Sequence, residues 1–424
     1  MLAKLEIAIG LPLQIIMVKF ALFQLSLIKT LNINAVMMSN ITPSIKYIGV
    51  DDLDIDLFES QYVVPEGMSY NSYLIEDEHI CIMDTADGRK GEQWLANLDE
   101  ALAGRTPDYL VVHHMEPDHA SLIRTVAERF PQIRIVLSDK AEKMLANFFP
   151  AYDFSGRTIA VKDGDTLNLG EHSLKFVAAP MVHWPEVMVS YDSKDKVLFS
   201  ADGFGKFGAL CNETDDWACE ARRYYFNICG KYGINVQRLL AAASKLEINI
   251  ICPLHGPVLK ENLGYYINLY DIWSKYEAET NGVLVAYASI HGGTRAVAEK
   301  VAQMLEKKGL EKVSIMDLSR CDMAEAIEDA FRMSRLVVAA SSYDASVFPP
   351  MYDFVHHLAI KGYQNRKVAI IENGSWAPSV IRTIKPMFES MKNIALVEPM
   401  VTIWSRMKES DVPALEQLVD AISE

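Results

Sequence analysis

Side chains of the kinds that bind metals are concentrated in residues 114–119, which read His-Met-Glu-Pro-Asp-His and directly follow a predicted buried strand over residues 109–113. His114, Glu116 and Asp118 are spaced two residues apart, and alternate residues of an extended chain share one face. Imidazole and carboxylate groups that converge in this way bind divalent metals. The segment therefore predicts a metal site at the end of that strand.

Three further ligand-type residues each come directly after an apolar run that is typical of a buried strand. Open sheets place their sites at the ends of strands, so the pattern as a whole favours one shared site. The six predicted ligands are His114, Glu116, Asp118, His183, Asp202 and His255. Four histidines lack such support and are interpreted as structural or surface residues: His79, His172, His356 and His357.

A second candidate site starts at residues 289–294, Ser-Ile-His-Gly-Gly-Thr, between a predicted strand and a predicted helix. Backbone N–H groups in such a loop converge on an anion, and the helix dipole adds to the attraction. Ser289 and Thr294 can also donate hydroxyl hydrogen bonds to a phosphate. The chain lacks the G-x-x-x-x-G-K-[ST] loop that holds nucleotide di- and triphosphates, so the segment favours a monophosphate.

Two later loops also leave the carboxyl ends of predicted parallel strands, where ligands bind in this architecture. Their residues 341–345 and 373–376 include Tyr343 and Trp376, whose flat faces can stack on a planar ring. The three loops together resemble the FMN loops of flavodoxins. The candidate FMN-binding residues are Ser289, His291, Gly292, Gly293, Thr294, Ser341, Ser342, Tyr343, Asp344, Asn373, Gly374, Ser375 and Trp376.

Composition limits the remaining function classes. A chain of 424 residues predicts two or three domains, and its net charge of −15 argues against nucleic-acid binding. The six cysteines form no C-x-x-C pair, which favours a reducing compartment, the cytoplasm, over a disulfide framework. Residues 7–28 carry only Lys19 as a charge, but Pro12 and two glutamines interrupt the run. We therefore expect residues 1–40 to be an extension outside the fold, without membrane contact, that precedes a start at Met37 or Met38. A membrane-surface helix and a degenerate targeting segment stay open as alternatives.

The order of predicted elements divides the rest of the chain in two. Short apolar strands and intervening helices fill residues 41–280, ending in a tyrosine-rich helix over residues 261–279 and a polar break at 280–282. Residues 281–424 instead alternate strand and helix five times, which predicts a doubly wound parallel sheet with helices on both faces. A strand at residues 395–397 and a helix at 412–422 close that series.

The metal motif resembles that of the metallo-β-lactamase superfamily, and the whole of residues 44–424 resembles its flavodiiron branch. Zinc hydrolases of the superfamily carry H-x-H-x-D-H, whereas this chain has Glu116 at the second position. An added carboxylate favours iron over zinc. The resemblance implies an N-terminal αββα sandwich followed by a flavodoxin-like domain. It also implies two irons: one held by His114, Glu116 and His183, the other by Asp118 and His255. Asp202 would bridge them, and His119 would orient the ligands or handle protons.

The same resemblance implies a function. The di-iron site would reduce oxygen to water or nitric oxide to nitrous oxide, with FMN supplying electrons, as a detoxifying reaction in an anaerobe or microaerobe. A head-to-tail homodimer or tetramer would place the FMN of one subunit beside the irons of another. Electrons would come from a rubredoxin or a flavin reductase. Two alternatives stay open at this point: a zinc hydrolase fused to a flavodoxin, and an electron-transfer module with a vestigial metal site.

Overall fold

The computed structural model describes residues 40–212 and 216–424. The predicted extension, residues 1–40, therefore lies outside the described residues apart from Asn40. Within the described part of the chain, no helix is long and apolar enough to cross a membrane.

Two sheets form the centre of the first domain. The first sheet has, in spatial order, the strands Ile45–Tyr47, Tyr73–Ile75, Cys81–Met83, Tyr109–Val111, Arg134–Ser138 and Thr158–Val161. The second has Thr166–Asn168, Ser173–Ala178, Met188–Asp192, Val197–Phe199 and Ile250–Cys252. Two hairpin-like pairs lie beside them: Val50–Asp52 with Met68–Tyr70, and Leu57–Phe58 with Tyr62–Val63.

Alternation of side chains explains why helices cover the outer faces of both sheets. In the strand Cys81–Met83, Cys81 and Met83 pack between the sheets, whereas Ile82 packs against outer helices. Val197 and Phe199 likewise face the space between the sheets. Strands whose two faces are both apolar must be buried on both sides. The outer helices are Gly91–Leu102, Pro117–Ala120, Ile123–Arg129, Asp139–Phe148, Trp217–Ile228, Gly233–Ala243 and Leu263–Ser274.

The second domain is built on one parallel sheet. Its main path runs Lys312–Asp317, Thr280–Ala288, Met333–Tyr343, Arg366–Asn373 and Ile394–Leu396, with Val401–Ile403 also pairing to Arg366–Asn373. Numbered along the domain, this spatial order is 2-1-3-4-5, the flavodoxin-like order. Val283 and Val285 pack on one face of the sheet and Leu284 and Ala286 on the other. The helices are Gly293–Glu306, Met323–Arg332, Pro349–Ile360, Val380–Glu389 and Val412–Ser423.

The predicted αββα sandwich and doubly wound sheet are thus confirmed, with two local corrections. The tyrosine-rich helix spans only Leu263–Ser274, and Asn262 before it has a φ of 51°. The polar residues expected as a break after it are the start of the strand Thr280–Ala288, where Thr280 pairs with Met333. A sheet pairing therefore overrides the local turn signal. The domain limits at 41, 280 and 281 remain predictions.

Charged groups join the two domains. Arg222, on the helix Trp217–Ile228, donates to Glu279 at 2.7 and 2.6 Å and also to Glu328 of the second domain. On the same side, Lys361 donates to the backbone oxygen of Asn227 at 2.7 Å. Lys361 also lies 5.8 Å from the centre of the Tyr62 ring. Burial lowers the pKa of Lys361 to about 8, although the charge of Glu59 opposes that shift.

We expect the substitution Lys361→Met to change how stability depends on pH. The folded pKa of about 8 lies below the ordinary value of 10.5, so the unfolded chain binds more protons between these values. The wild-type free energy of unfolding should therefore rise from pH 8 to 10 relative to the variant, by on the order of 2 kcal/mol. Urea unfolding at pH 7, 8, 9 and 10 measures this. Lys385→Met is the control, since the Lys385 side chain is 40% exposed and lies beside Glu389 on the surface. Parallel profiles for wild type and Lys361→Met would contradict the expectation.

Candidate metal centre and flavin site

The loop after the strand Tyr109–Val111 carries the first ligand candidates. Glu116 has an extended backbone and caps the helix Pro117–Ala120, whose first position is a proline suited to it. This helix brings Asp118 and His119 back toward the strand end that carries His114. One short turn of chain therefore places four ligand-type side chains around one point, and all but Glu116 are buried.

Four of the predicted ligands form the first group. Glu116 Oε2 lies 3.1 Å from His114 Nε2 and 3.0 Å from His183 Nε2. Asp202 Oδ2 lies 3.3 Å from His114 Nε2 and 3.2 Å from His183 Nε2. Atoms bound to one metal at about 2.0–2.2 Å lie at roughly such separations from one another. The group can therefore hold one ion.

The second group contains Asp118, His255 and also His119. Asp118 Oδ2 lies 3.2 Å from His255 Nε2 and 3.3 Å from His119 Nε2. The two imidazole Nε2 atoms are 3.1 Å apart. Asp202 Oδ1 lies 3.4 Å from His119 Nε2 and 3.8 Å from His255 Nε2. One oxygen of Asp202 thus faces each group, which is the arrangement of a carboxylate that bridges two ions.

Unpartnered buried atoms show that these residues fit metal ions. Both carboxylate oxygens of Asp118 and both of Asp202 are buried and lack a hydrogen-bond partner among the described residues. A buried carboxylate is destabilising unless it is paired or binds a metal. The donor set of three or four imidazoles and three carboxylates suits divalent iron. The site therefore has the ligand types and the unpartnered carboxylate oxygens that two divalent iron ions need.

Electrostatics in the site favour ionised carboxylates. Burial alone would raise the pKa of Asp202, but His114, His119 and His183 hold it well below its usual range. Burial lowers the pKa of His183, yet Asp202 and Glu116 raise it to about 9. The electrostatic potential at the metal centre is thus strongly negative, and it attracts both protons and metal cations.

Hydrogen bonds on the far sides of the imidazoles fix their orientation. His114 Nδ1 lies 2.8 Å from Glu186 Oε1, and His255 Nδ1 lies 2.7 Å from the backbone oxygen of Ser69. Such partners leave Nε2 free to bind a metal. Beneath the loop, Asp84 bonds His113 at its backbone N–H and at Nδ1. Sequence reasoning missed these partners because no motif marks Glu186 or Asp84.

The candidate flavin site is a cavity of about 630 Å³ at the carboxyl end of the second-domain sheet. It brings together eleven of the predicted residues: His291, Gly293, Thr294, Ser341, Ser342, Tyr343, Asp344, Asn373, Gly374, Ser375 and Trp376. Ser289 and Gly292 do not line it, but the Ser289 hydroxyl accepts a hydrogen bond from the Gly292 N–H at 3.1 Å. Ser289 therefore shapes the loop whose next residues form the wall.

A tight hairpin presents the aromatic ring of the middle loop. The strand Met333–Tyr343 turns into Ser346–Val347, and the two residues between them, Asp344 and Ala345, both have positive φ. Such two-residue turns match the twist of the paired strands. Tyr343 is thereby held half exposed at the cavity rim, and Trp376 opposite is 87% exposed. Both rings are available to cover a planar ligand.

Close backbone packing and positive charge mark the phosphate end. A Cβ added at Gly293 would meet the backbone oxygen of Ser405 at 2.5 Å, so only glycine fits there. The cavity is also lined by Arg382 and Arg406 against one acid, Asp344. Sequence reasoning missed Ser405 and Arg406. The strand before them, Val401–Ile403, has only three residues and gave no clear signal.

Comparisons with known proteins agree with this architecture. Residues 68–256 match the model of the ODP family beta lactamases. An uncharacterized protein of Methanocaldococcus jannaschii is 28% identical over 84% of this chain and 90% of its own length. An anaerobic nitric oxide reductase flavorubredoxin of Vibrio vulnificus is 28% identical over 80% of this chain and 70% of its own. Diflavin flavoprotein A 1 of Synechocystis is 31% identical over 70% of this chain, which spans about half of that relative (52%).

Solved structures share the fold of both domains. Rubredoxin oxygen:oxidoreductase from Desulfovibrio gigas matches with a TM-score of 0.84 and 22% identity over 91% of this chain and 97% of that one. The flavodiiron protein from Giardia intestinalis matches with a TM-score of 0.82 and 23% identity, over 90% and 95%. The class of molecule is a β-lactamase-like domain joined to a flavodoxin-like domain. On these findings, the chain is similar in fold to flavodiiron proteins over both domains, and its first domain matches the ODP family model.

Proposed function

We propose that the protein reduces oxygen to water, nitric oxide to nitrous oxide, or both, at a di-iron site supplied with electrons by FMN. The observation that carries this proposal is Asp202, which faces a metal-binding group with each of its two oxygens. A pair of adjacent ions suits the reduction of a small diatomic molecule. The names of the relatives from Vibrio vulnificus and Desulfovibrio gigas, a nitric oxide reductase and an oxygen oxidoreductase, support the same activity.

The proposed ligands divide between the two irons. His114, Glu116 and His183 would hold one, and Asp118 and His255 the other, with Asp202 between them. When bound, the irons would pass electron pairs to the gas, and FMN would accept electrons singly or in pairs. Around them, aromatic side chains exclude water: the rings of Phe58, Tyr70 and Tyr224 lie 5.4, 6.0 and 5.6 Å from that of His255. The dry surroundings strengthen each charge interaction in the site.

The two centres belong to separate strand ends, and we propose that they meet across subunits. A head-to-tail homodimer would set the FMN of one chain beside the irons of its partner, and a tetramer would pair two such dimers. The exposed rings of Tyr343 and Trp376 favour a partner surface at the flavin. The donor would be a rubredoxin or a flavin reductase. The six free cysteines favour a reducing, cytoplasmic setting.

The zinc hydrolase alternative is disfavoured by Glu116. Its carboxylate lies within 3.1 Å of two ligand imidazoles, where it adds a hard oxygen donor. The flavin cavity in the same chain also has no role in hydrolysis.

The experiment that tests the proposal is metal and flavin analysis of the purified protein with steady-state consumption of each gas. Two irons and one FMN with turnover support it, whereas two zincs without turnover contradict it.

His119 supplies a prediction about the ligand set. The family resemblance places it outside that set, whereas its Nε2 is as near to Asp118 as that of His255. We propose that His119 is a ligand of the second iron. The substitution His119→Asn should then lower iron content from two toward one per chain and turnover by at least about 100-fold. Iron analysis with a gas-consumption assay tests this, with surface His79→Asn as the control. Two retained irons with only an altered pH profile would assign His119 an orienting or proton-handling role.

A further inference from the structure

A third group of ligand-type residues lies at the opposite edge of the β-lactamase-like domain. His172 precedes the strand Ser173–Ala178, and Asp192 ends the neighbouring strand Met188–Asp192. Asp195 follows in the turn after that strand. One ligand atom of each of the three residues lies within 4.8 Å of the others. None of the three belongs to the metal centre or to the flavin site.

Buried atoms without partners point into this group. His172 and Asp192 are fully buried. His172 Nδ1 and Asp192 Oδ1 lie 3.1 Å apart but form no hydrogen bond with each other or with any other described residue. Two buried polar atoms without hydrogen-bond partners lower the stability of the fold unless a ligand binds them. An ion bound by both would satisfy them together.

Charge in the group is also uncompensated. Asp192 and Asp195 have no lysine or arginine partner among the described residues, since Lys194 and Lys196 pair with Glu171 and Glu247 instead. Two carboxylates with one neutral imidazole carry a charge of about −2, which a single divalent cation neutralises. The net charge of these three residues therefore indicates that their ligand is a divalent cation.

The remaining contacts prepare the three groups as ligands. His172 Nε2 lies 2.8 Å from the Ser44 hydroxyl, to which it can donate, and this leaves the Nδ1 lone pair for a metal. The Thr42 hydroxyl donates to Asp195 Oδ2 at 2.5 Å. A metal-bound histidine and carboxylate commonly have such outer partners. Both hydroxyls come from the segment just before the strand Ile45–Tyr47, so an ion here would fasten that segment to the second sheet.

We propose that His172, Asp192 and Asp195 form a structural site for one divalent transition cation, Zn²⁺ or Mn²⁺. One imidazole nitrogen and two carboxylate oxygens suit these ions, and waters would complete the coordination. On this proposal, His172 would be a metal ligand instead of the structural or surface residue that its sequence context indicated. A Ser-His-Asp hydrolytic triad at Ser44 is the competing chemistry. It is disfavoured because His172 Nδ1 makes no hydrogen bond to Asp192, the bond that orients the imidazole in such triads.

The test uses the full-length, iron-loaded protein. It is equilibrated with Zn²⁺ or Mn²⁺, desalted, and analysed for iron and for the added metal in the same sample. The wild type should retain about one added ion per chain beside its iron, and its melting temperature should rise with the metal. Asp195→Asn, which keeps size and shape in a half-buried turn, should lose that ion and the rise while iron is unchanged. His172→Gln should do the same.

Exposed Asp153→Asn is the matched control and should behave as the wild type does. Equal retention of the added ion by wild type and Asp195→Asn would overturn the proposal, as would no retention by the wild type. The latter result would leave His172 and Asp192 as an ion pair only. Because iron is counted separately, failure of the proposed di-iron function and failure of this third site give different results.

Discussion

Glu116→His should convert the metal centre from an iron site toward a zinc site and abolish gas reduction. Glu116 Oε2 lies between His114 Nε2 and His183 Nε2, at 3.1 and 3.0 Å. The substitution removes one of the negative charges that balance two divalent irons and replaces a hard oxygen with an imidazole. It also restores the hydrolase motif H-x-H-x-D-H. We expect iron occupancy to fall at least about tenfold and turnover at least about 100-fold.

Elemental analysis after growth with both metals, together with gas consumption, measures this result. Glu128→His is the matched control, because Glu128 is exposed and, among the described residues, pairs only with Arg124 on the surface. The control should keep two irons and full turnover. Two irons and unchanged turnover in Glu116→His would show that the carboxylate does not select the metal.

Gly293→Ala should remove the flavin without unfolding the second domain. The added Cβ would meet the backbone oxygen of Ser405 at 2.5 Å, and it would also come within 3.4 Å of Asn373 Nδ2. The Asn373 side-chain amide donates to the Ser405 backbone oxygen at 3.0 Å. The added Cβ would therefore push the first loop, residues 289–294, away from both Ser405 and the third loop, residues 373–376. Because the phosphate would lose its helix N-terminus, we expect FMN affinity to fall at least about 100-fold and turnover with it.

Flavin absorbance after desalting and circular dichroism of the same sample separate lost binding from unfolding. Gly264→Ala is the control, since a Cβ at Gly264 would meet no atom of the described residues within 4 Å. That variant should retain its yellow colour and activity. A Gly293→Ala protein that binds FMN as tightly as the wild type would refute the assignment of this loop.

Much of the fold could be predicted because side-chain periodicity and strand ends are local features. The first strand of the strand–helix series predicted for residues 281–424 is observed as Thr280–Ala288, and the alternation of strands with helices indicated helices on both faces of its sheet. The helix Trp217–Ile228 was missed for the opposite reason. It buries charged Arg222 and Arg223 as well as apolar residues, so it lacks the one-sided pattern of a surface helix.

In the metal centre, too, ligands that lie close together in sequence could be predicted, whereas their partners from distant parts of the chain could not. The motif around His114 and Glu116 lies within six residues, and its spacing alone indicated a metal. Glu186 and Asp84 are brought to it by other strands, and single carboxylates carry no signal in sequence. His172 was interpreted as structural because its two carboxylate neighbours lie 20 or more residues away. Only the pairing of adjacent strands brings them together.

In the proposed function, FMN electrons leave the protein through the di-iron site. The measurement is a single turnover: anaerobic protein with fully reduced FMN and two ferrous ions, which together hold the four electrons needed to reduce oxygen to water, is mixed with a known amount of oxygen or nitric oxide, and flavin reoxidation is followed with product analysis. We expect rapid reoxidation that yields water without hydrogen peroxide, or nitrous oxide. Iron-depleted protein with intact FMN should reoxidise at least about 100-fold more slowly. Equal rates with and without iron, or peroxide as the product of both samples, would show that electrons do not pass through the di-iron site.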